Sequence, residues 1–184
     1  MITSEVRFSY AHVFEAAQTP NGDLKYSVCI MIPKDDKKGL AAINAAIQEA
    51  VKKGLENGKI PKAKVKGIRI PLRDGDAEVE SGDRGAEFKG MMFFNASSKN
   101  PPGVVDSRLA PLMSADQFYS GCWGRADINF FPYSNAGNIG VGAGLNNVMK
   151  SREGDRLDGR QKAEDAFAQF ASAEGPAETV MDLE

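Results

Sequence analysis

Read as an extended strand, residues 123–133 put Trp123, Arg125, Asp127, Asn129, Phe131 and Tyr133 on one side and Gly124, Ala126, Ile128 and Phe130 on the other. A strand with this period of two buries one face, so the small apolar side reads as core and the aromatic and polar side as an exposed platform. The same period runs through 6–14, with Phe8, Tyr10, His12 and Phe14 opposite Arg7, Ser9, Ala11 and Val13. It returns in 24–32, where Leu24, Tyr26, Val28, Ile30 and Ile32 face away from Lys25, Ser27, Cys29 and Met31. Pro20, Asn21 and Gly22 turn the chain between these two runs, so a long hairpin is expected, closed by Pro33. Residues 88–96 give a further strand. The glycine-rich run 137–145 pairs with 123–133 as the last one, its missing side chains permitting strong curvature or close approach of another backbone.

One helix interrupts the strands. Asp35 or Asp36 can cap it, and Leu40, Ile43, Ile47, Val51 and Leu55 form a single apolar stripe to about Asn57. Residues 59–85 then read as a long polar loop, basic first (Lys59, Lys62, Lys64, Lys66, Arg69, Arg73) and acidic afterwards (Asp74, Asp76, Glu78, Glu80, Asp83), of a length that is usually functional or mobile. Five short strands with one inserted helix predict a mainly β fold, an OB-fold-like Greek-key barrel filled by rings such as Phe88, Phe94 and Phe130. A chain of 184 residues, 42% of them hydrophobic, supports one such domain. The expected division is a nucleic-acid-binding domain over 1–150 and an acidic, largely flexible tail over 151–184 with a short helix near 161–171.

Charge divides the chain the same way. Six of the 25 acidic residues follow Lys162, beyond which there is no Lys or Arg, so residues 1–162 carry 23 basic side chains against 19 acidic ones. A mildly basic body suits a polyanion, and an anionic tail suits a protein partner or competes for the same groove. Binders of single-stranded nucleic acid combine a cationic groove with rings on which bases stack. The residues expected to do this are Trp123, Phe131 and Tyr133 as stacking rings with Arg125 between them. Lys25, Arg73, Lys89, Lys99, Arg108 and Lys150 are the expected phosphate contacts.

The ordered series KYS (25–27) with IPK (32–34), a capped helix, PLRDGD (71–76), FNASSKNPPGVVD (94–106), FYSGCWGRADINFFPY (118–133) and GVGAGLNNVMKSREGDRLDGR (140–160) resembles a divergent family of tailed-phage single-stranded-DNA-binding proteins. The resemblance runs over nearly the whole chain. It implies an OB-fold protein that coats single-stranded DNA without sequence preference during phage replication or recombination, in the cytoplasm of the infected bacterium. The acidic end is similar to the tails with which T7-type phage and bacterial single-strand binders dock on replication and repair proteins. Glu174, Glu178, Asp182 and Glu184 are the corresponding partner-binding residues here, although the tip is Met181, Asp182, Leu183, Glu184 and not an Asp-rich, Phe-terminated end.

Other chemistries have thinner support. Asp76 with Glu87 and Lys89 loosely imitates the acidic constellation of a metal-dependent phage nuclease, and a β-barrel structural module that binds no DNA is the remaining alternative. His12, the sole histidine, leaves one candidate base for any triad; Gly140, Gly142 and Gly144 miss the dinucleotide spacing at Leu145; Asp74, Gly75 and Asp76 lack the remaining ligands of a calcium loop. The expectation is a non-enzymatic protein with no metal and no cofactor. Cys29 and Cys122 form no metal or disulfide pattern, no basic and apolar leader opens the sequence, and no apolar run approaches the roughly 20 residues of a membrane span. No heptad run or repeated apolar edge points to a dimer, while the glycine-rich strand could pair between chains, so oligomeric state stays open.

Overall fold

The computed structural model describes residues 1–135, 137–157 and 159. The alternating segments become two antiparallel hairpins, β1 (Val6–Gln18) with β2 (Leu24–Pro33) and β6 (Trp123–Asn135) with β7 (Asn138–Arg152). Between them lie α1 (Lys37–Glu56), β3 (Arg73–Asp74), α2 (Gly75–Glu80), β4 (Met91–Ser98) and β5 (Gly103–Asp106). β4 pairs with β2 from Tyr26↔Ser98 to Pro33↔Met91 and touches β7 in parallel at Ser97↔Gly144. β6 returns to β1 at Val6↔Gly124 and Arg7↔Trp123. The ring β1-β2-β4-β7-β6 is therefore closed, the five-stranded Greek-key arrangement of an OB barrel. β3 extends β4 at one edge and β5 runs parallel along β7 at the other.

Inward side chains from every barrel strand meet in one core: Phe8, Val28, Ile30, Phe94, Ala126, Ile128, Val141 and Leu145 are all buried there. α1 covers this core with Ile43, Ile47 and Ala50. Asp36 caps the helix, accepting from the Gly39 amide at 2.9 Å, while the Ser4 hydroxyl donates to its other oxygen at 2.5 Å and ties the helix start to the chain entering β1. Gly39 is required by this packing, since a Cβ there would lie 2.1 Å from the Asp36 carboxylate and 2.3 Å from the Ser4 hydroxyl.

Several expectations are corrected. The period of two in 6–14 breaks, because Ser9 pairs with Cys29 and His12 with Ser27, leaving one extra residue in β1. Phe8 and Val13 both reach the core across this bulge, whereas Tyr10, expected beside Phe8, is exposed. The loop of 59–85 contains a 3-10 helix (Lys62–Gly67), β3 and α2; Asp74 caps α2 by accepting from the Asp76 amide at 2.9 Å. The strand expected from residue 88 starts at Met91, and Phe88 stands in a 3-10 turn (Ala86–Phe88). Its ring packs with Cys29, Met31 and Phe93 in a second cluster on the outside of the barrel instead of filling it.

The boundary expected after Lys150 falls inside β7. Beyond Arg152 the chain stays on the body: Arg7 donates to the Asp155 carbonyl at 3.0 Å, the Leu157 amide donates to Ser120 O at 2.8 Å, and Leu157 packs on the second cluster. The helix expected near 161–171 lies outside the described residues. Both cysteines are buried, and burial pushes the Cys29 thiol up to about 12 and that of Cys122 to about 11.

The Ser4 hydroxyl and then the Gly39 amide hold the Asp36 carboxyl below its usual 3.8. A carboxyl depressed in the folded state contributes stability that is present above its unfolded value and is lost as pH falls through the folded one. Asp36→Asn, which keeps a cap acceptor, should therefore flatten the acid limb of a urea-midpoint profile, and Asp36→Ala should cost about 1 kcal/mol at neutral pH.

Candidate nucleic-acid interface

Tyr10 sits at the β1 bulge with φ +46°, a left-handed conformation that a bulky residue adopts only where its surroundings hold it there. The residue is 49% exposed. The Arg84 guanidinium lies 5.2 Å from the ring centroid, and also 5.3 Å from that of Phe88 and 5.4 Å from that of Phe93. Glu78 pairs with Arg84 at 3.5 Å and also with Arg73, which lies 4.9 Å over Phe93. The outer cluster and α2 thus form a shelf that carries a cation beside an open ring. Partial burial works against the charge on Arg84, but its interactions with Tyr10, Cys29 and Glu78 together outweigh this and leave its pKa above the ordinary value.

An open groove of about 410 Å³ runs from this shelf to the hairpin at residues 17–20. Ser27, Asn95 and Ser97 line it, with His12 and Lys25 also facing in. These are outward positions of β1, β2 and β4, neighbours by the pairs His12↔Ser27 and Ser27↔Ser97.

Across Ser97↔Gly144 the same outer surface continues onto β7 and β6. Phe131 stands opposite Gly142 and Asn129 opposite Gly144. A Cβ on Gly142 would lie 2.9 Å from the tip of the Phe131 ring, and one on Gly144 2.7 Å from the Asn129 side-chain oxygen. The ring therefore lies across bare backbone, and Phe131 is 43% exposed. Phe130, next to it, turns inward and packs on Phe94 with centroids 5.4 Å apart.

The other expected residues spread over the molecule. Trp123, eight positions and about 26 Å of strand from Phe131, is half-buried beneath Arg152 at 4.2 Å and Arg7 at 6.0 Å. Arg125 is exposed and donates to Thr3 O at 3.0 Å, and Tyr133 is half-buried opposite Gly140. The platform expected along β6 is therefore split, with Trp123 and Arg125 at one end and Phe131 and Tyr133 at the other. Lys25 enters the groove, and exposed Lys99 follows the end of β4 beside it. Arg73 belongs to the shelf, and Lys89 is exposed on the turn before β4. Arg108 is exposed beyond β5 and pairs with Asp106 at 3.7 Å. Lys150 is largely covered, donating to Glu153 at 2.7 Å with its ammonium 5.7 Å from the Tyr119 ring. Glu174, Glu178, Asp182 and Glu184 lie outside the described residues.

Nothing in the sequence alone marks Tyr10, Arg84, Asn95 or Ser97 as site residues. The bulge that exposes Tyr10 leaves no mark in the hydrophobic pattern, and Arg84 lies in a stretch read as loop. The acidic constellation is otherwise engaged: one Asp76 oxygen accepts from Lys34 at 2.7 Å and the other from the Gly90 amide at 2.7 Å, while Glu87 lines a separate cavity beside Phe118. Among the described residues, no three His, Cys, Asp or Glu side chains gather as a metal-holding group. No described helix is long and apolar enough to cross a membrane.

A family model described as the ssDNA-binding protein of Enterobacter phage Enc34 matches residues 1–178. A relative, protein p50 of Acyrthosiphon pisum secondary endosymbiont phage 1, is 32% identical over 162 residues, covering 85% of each chain. The solved single-stranded DNA-binding protein from bacteriophage Enc34 in complex with ssDNA is similar with a TM-score of 0.68 at 25% identity, over 85% of this chain and 88% of that one. The single-stranded DNA binding protein gp2.5 of bacteriophage T7 shares the fold, with a TM-score of 0.62 at 15% identity over 96% of both chains. With a match that spans nearly its whole length and a barrel of the same build, the chain belongs to the Enc34 family of phage ssDNA-binding proteins.

Proposed function

We propose that this protein binds single-stranded DNA without sequence preference and, as a non-catalytic coat, protects it during phage replication or recombination in the host cytoplasm. The observation that carries the reading is the continuous outer surface on which two open rings, Tyr10 and Phe131, flank a floor of Ser27, Asn95, Ser97 and the bare backbone at Gly142 and Gly144. Bases stack on the rings, at roughly 1–3 kcal/mol each, and any base has a π face to offer. The glycines let the strand approach the sheet closely. Lys25, Arg84 and Lys99 take phosphates, as Arg73 and Lys89 do at the margin of the shelf. The Enc34 protein, solved in complex with ssDNA, supports the same reading. Trp123, Arg125, Arg108 and Lys150 have a smaller share, because they lie away from the groove or are engaged by neighbouring groups, while half-buried Tyr133 stands beyond Phe131 on the same side of β6.

The tail enters through its point of attachment. Leu157 lines a cavity with Tyr10, His12 and Phe118 beside the groove, and the six acidic residues after Lys162 follow it within a short length of sequence. These carboxylates compete with DNA for the cations and, once displaced, are offered to replication or recombination proteins.

Tyr10→Ala and Phe131→Ala should each weaken oligothymidylate binding by about 1–3 kcal/mol in fluorescence anisotropy while leaving the thermal unfolding transition cooperative. Gly142→Val should displace the Phe131 ring and reproduce the Phe131→Ala loss. Affinity should fall with added salt at a slope near −0.7 per phosphate contacted; a structural module would show almost no binding at any salt. A chain ending at Gly159 should bind more tightly than the full chain at low salt, and equal affinity would end the competition idea.

A further inference from the structure

Between α1 and β3 the chain carries Lys59, Lys62, Lys64, Lys66 and Arg69 without one acidic residue. This strap is pinned at both ends. Ile60 is buried and its amide donates to Gly54 O at 2.8 Å; Arg69 donates to Ile139 O and accepts from the Val141 amide, both at 2.9 Å. The 3-10 helix between the pins buries no residue, and Lys62, Lys64 and Lys66 are all exposed. None of the five cations forms an ion pair with a described residue. Like charges this close along one short segment repel, and an anionic ligand relieves that repulsion.

The strap also lies where a strand leaving the groove would go. Arg69 pairs with Gly140 in β7, and a Cβ on Gly140 would come within 2.9 Å of the Arg69 Cβ. Gly140 is opposite Tyr133 and is the next position on that side of β7 after Gly142, on which Phe131 rests. The bare track of β7 thus runs from Ser97, past Phe131, to the foot of the strap.

We propose that the strap from Lys59 to Arg69 is a second phosphate-holding site, which takes the backbone of a DNA single strand after it has crossed Phe131. The inference rests on the single-strand reading above and adds to it a path and a length: short oligonucleotides fill the groove alone, and longer ones reach the strap.

The test compares the full chain with K62Q/K64Q/K66Q, using oligothymidylates of about 6 and about 24 nucleotides, the first near the lower end of the site sizes of OB folds and the second beyond their upper end. For the long oligonucleotide the variant should lose about 2 from the magnitude of its salt slope, three contacts at about 0.7 each, and at least tenfold in low-salt affinity. The short oligonucleotide should bind both proteins equally. K62R/K64R/K66R should restore the wild-type slope. An unchanged slope with the long oligonucleotide would overturn the proposal, as would a change that disappears in the chain ending at Gly159, since the strap would then serve the tail. Failure of the underlying reading has a different signature, in which the unaltered protein binds neither oligonucleotide.

Discussion

The barrel is organised by the hydrogen-bonding capacity of one strand. β7 gives one edge to β6 along almost its whole length and divides the other among Arg69, Ser97 of β4, and β5. An unshared strand edge leaves costly backbone groups and invites pairing with other chains, so this division both closes the barrel and blunts the edge. Two of these segments meet β7 at positions without side chains, Arg69 at Gly140 and Ser97 at Gly144, while β5 pairs along residues 147–150. The close approach that completes the fold and the open track offered to a ligand have the same origin.

The shelf shows a second economy. Cys29, Met31, Phe88 and Phe93 form a small apolar cluster outside the barrel, and Arg84 and Arg73 lie over its rings while Glu78 holds both. A guanidinium over aromatic faces is weakly hydrated and keeps its orientation, unlike a lysine on a free stem. The cation beside Tyr10 is thereby presented in a fixed place, so less side-chain entropy would be lost in the phosphate contact proposed for it.

What could be read from sequence follows from how locally each feature is encoded. β6 was legible because its neighbours let the period of two run uninterrupted from Trp123 to Phe130, and α1 because Asp36 and the Leu40–Leu55 stripe state both its start and its buried side. The bulge at Tyr10 was not, since one extra residue in β1 is defined only by its partner β2. The short elements in 59–85 were hidden for a similar reason: β3 exists through β4, and α2 is too brief to show a period. For the site, alternation located Phe131 and the lysine at position 25, while the partition of Trp123 from Phe131 depended on which strands stand beside each end of β6.

The grip on Trp123 has a spectroscopic consequence. The only indole in the protein lies under Arg152, and a Cβ on Gly154 would come within 2.9 Å of its ring, so its emission gauges how firmly the stretch after β7 is seated. A change in that emission when a ligand arrives would report on the seating of residues 152–154 as well as on any contact at the ring itself.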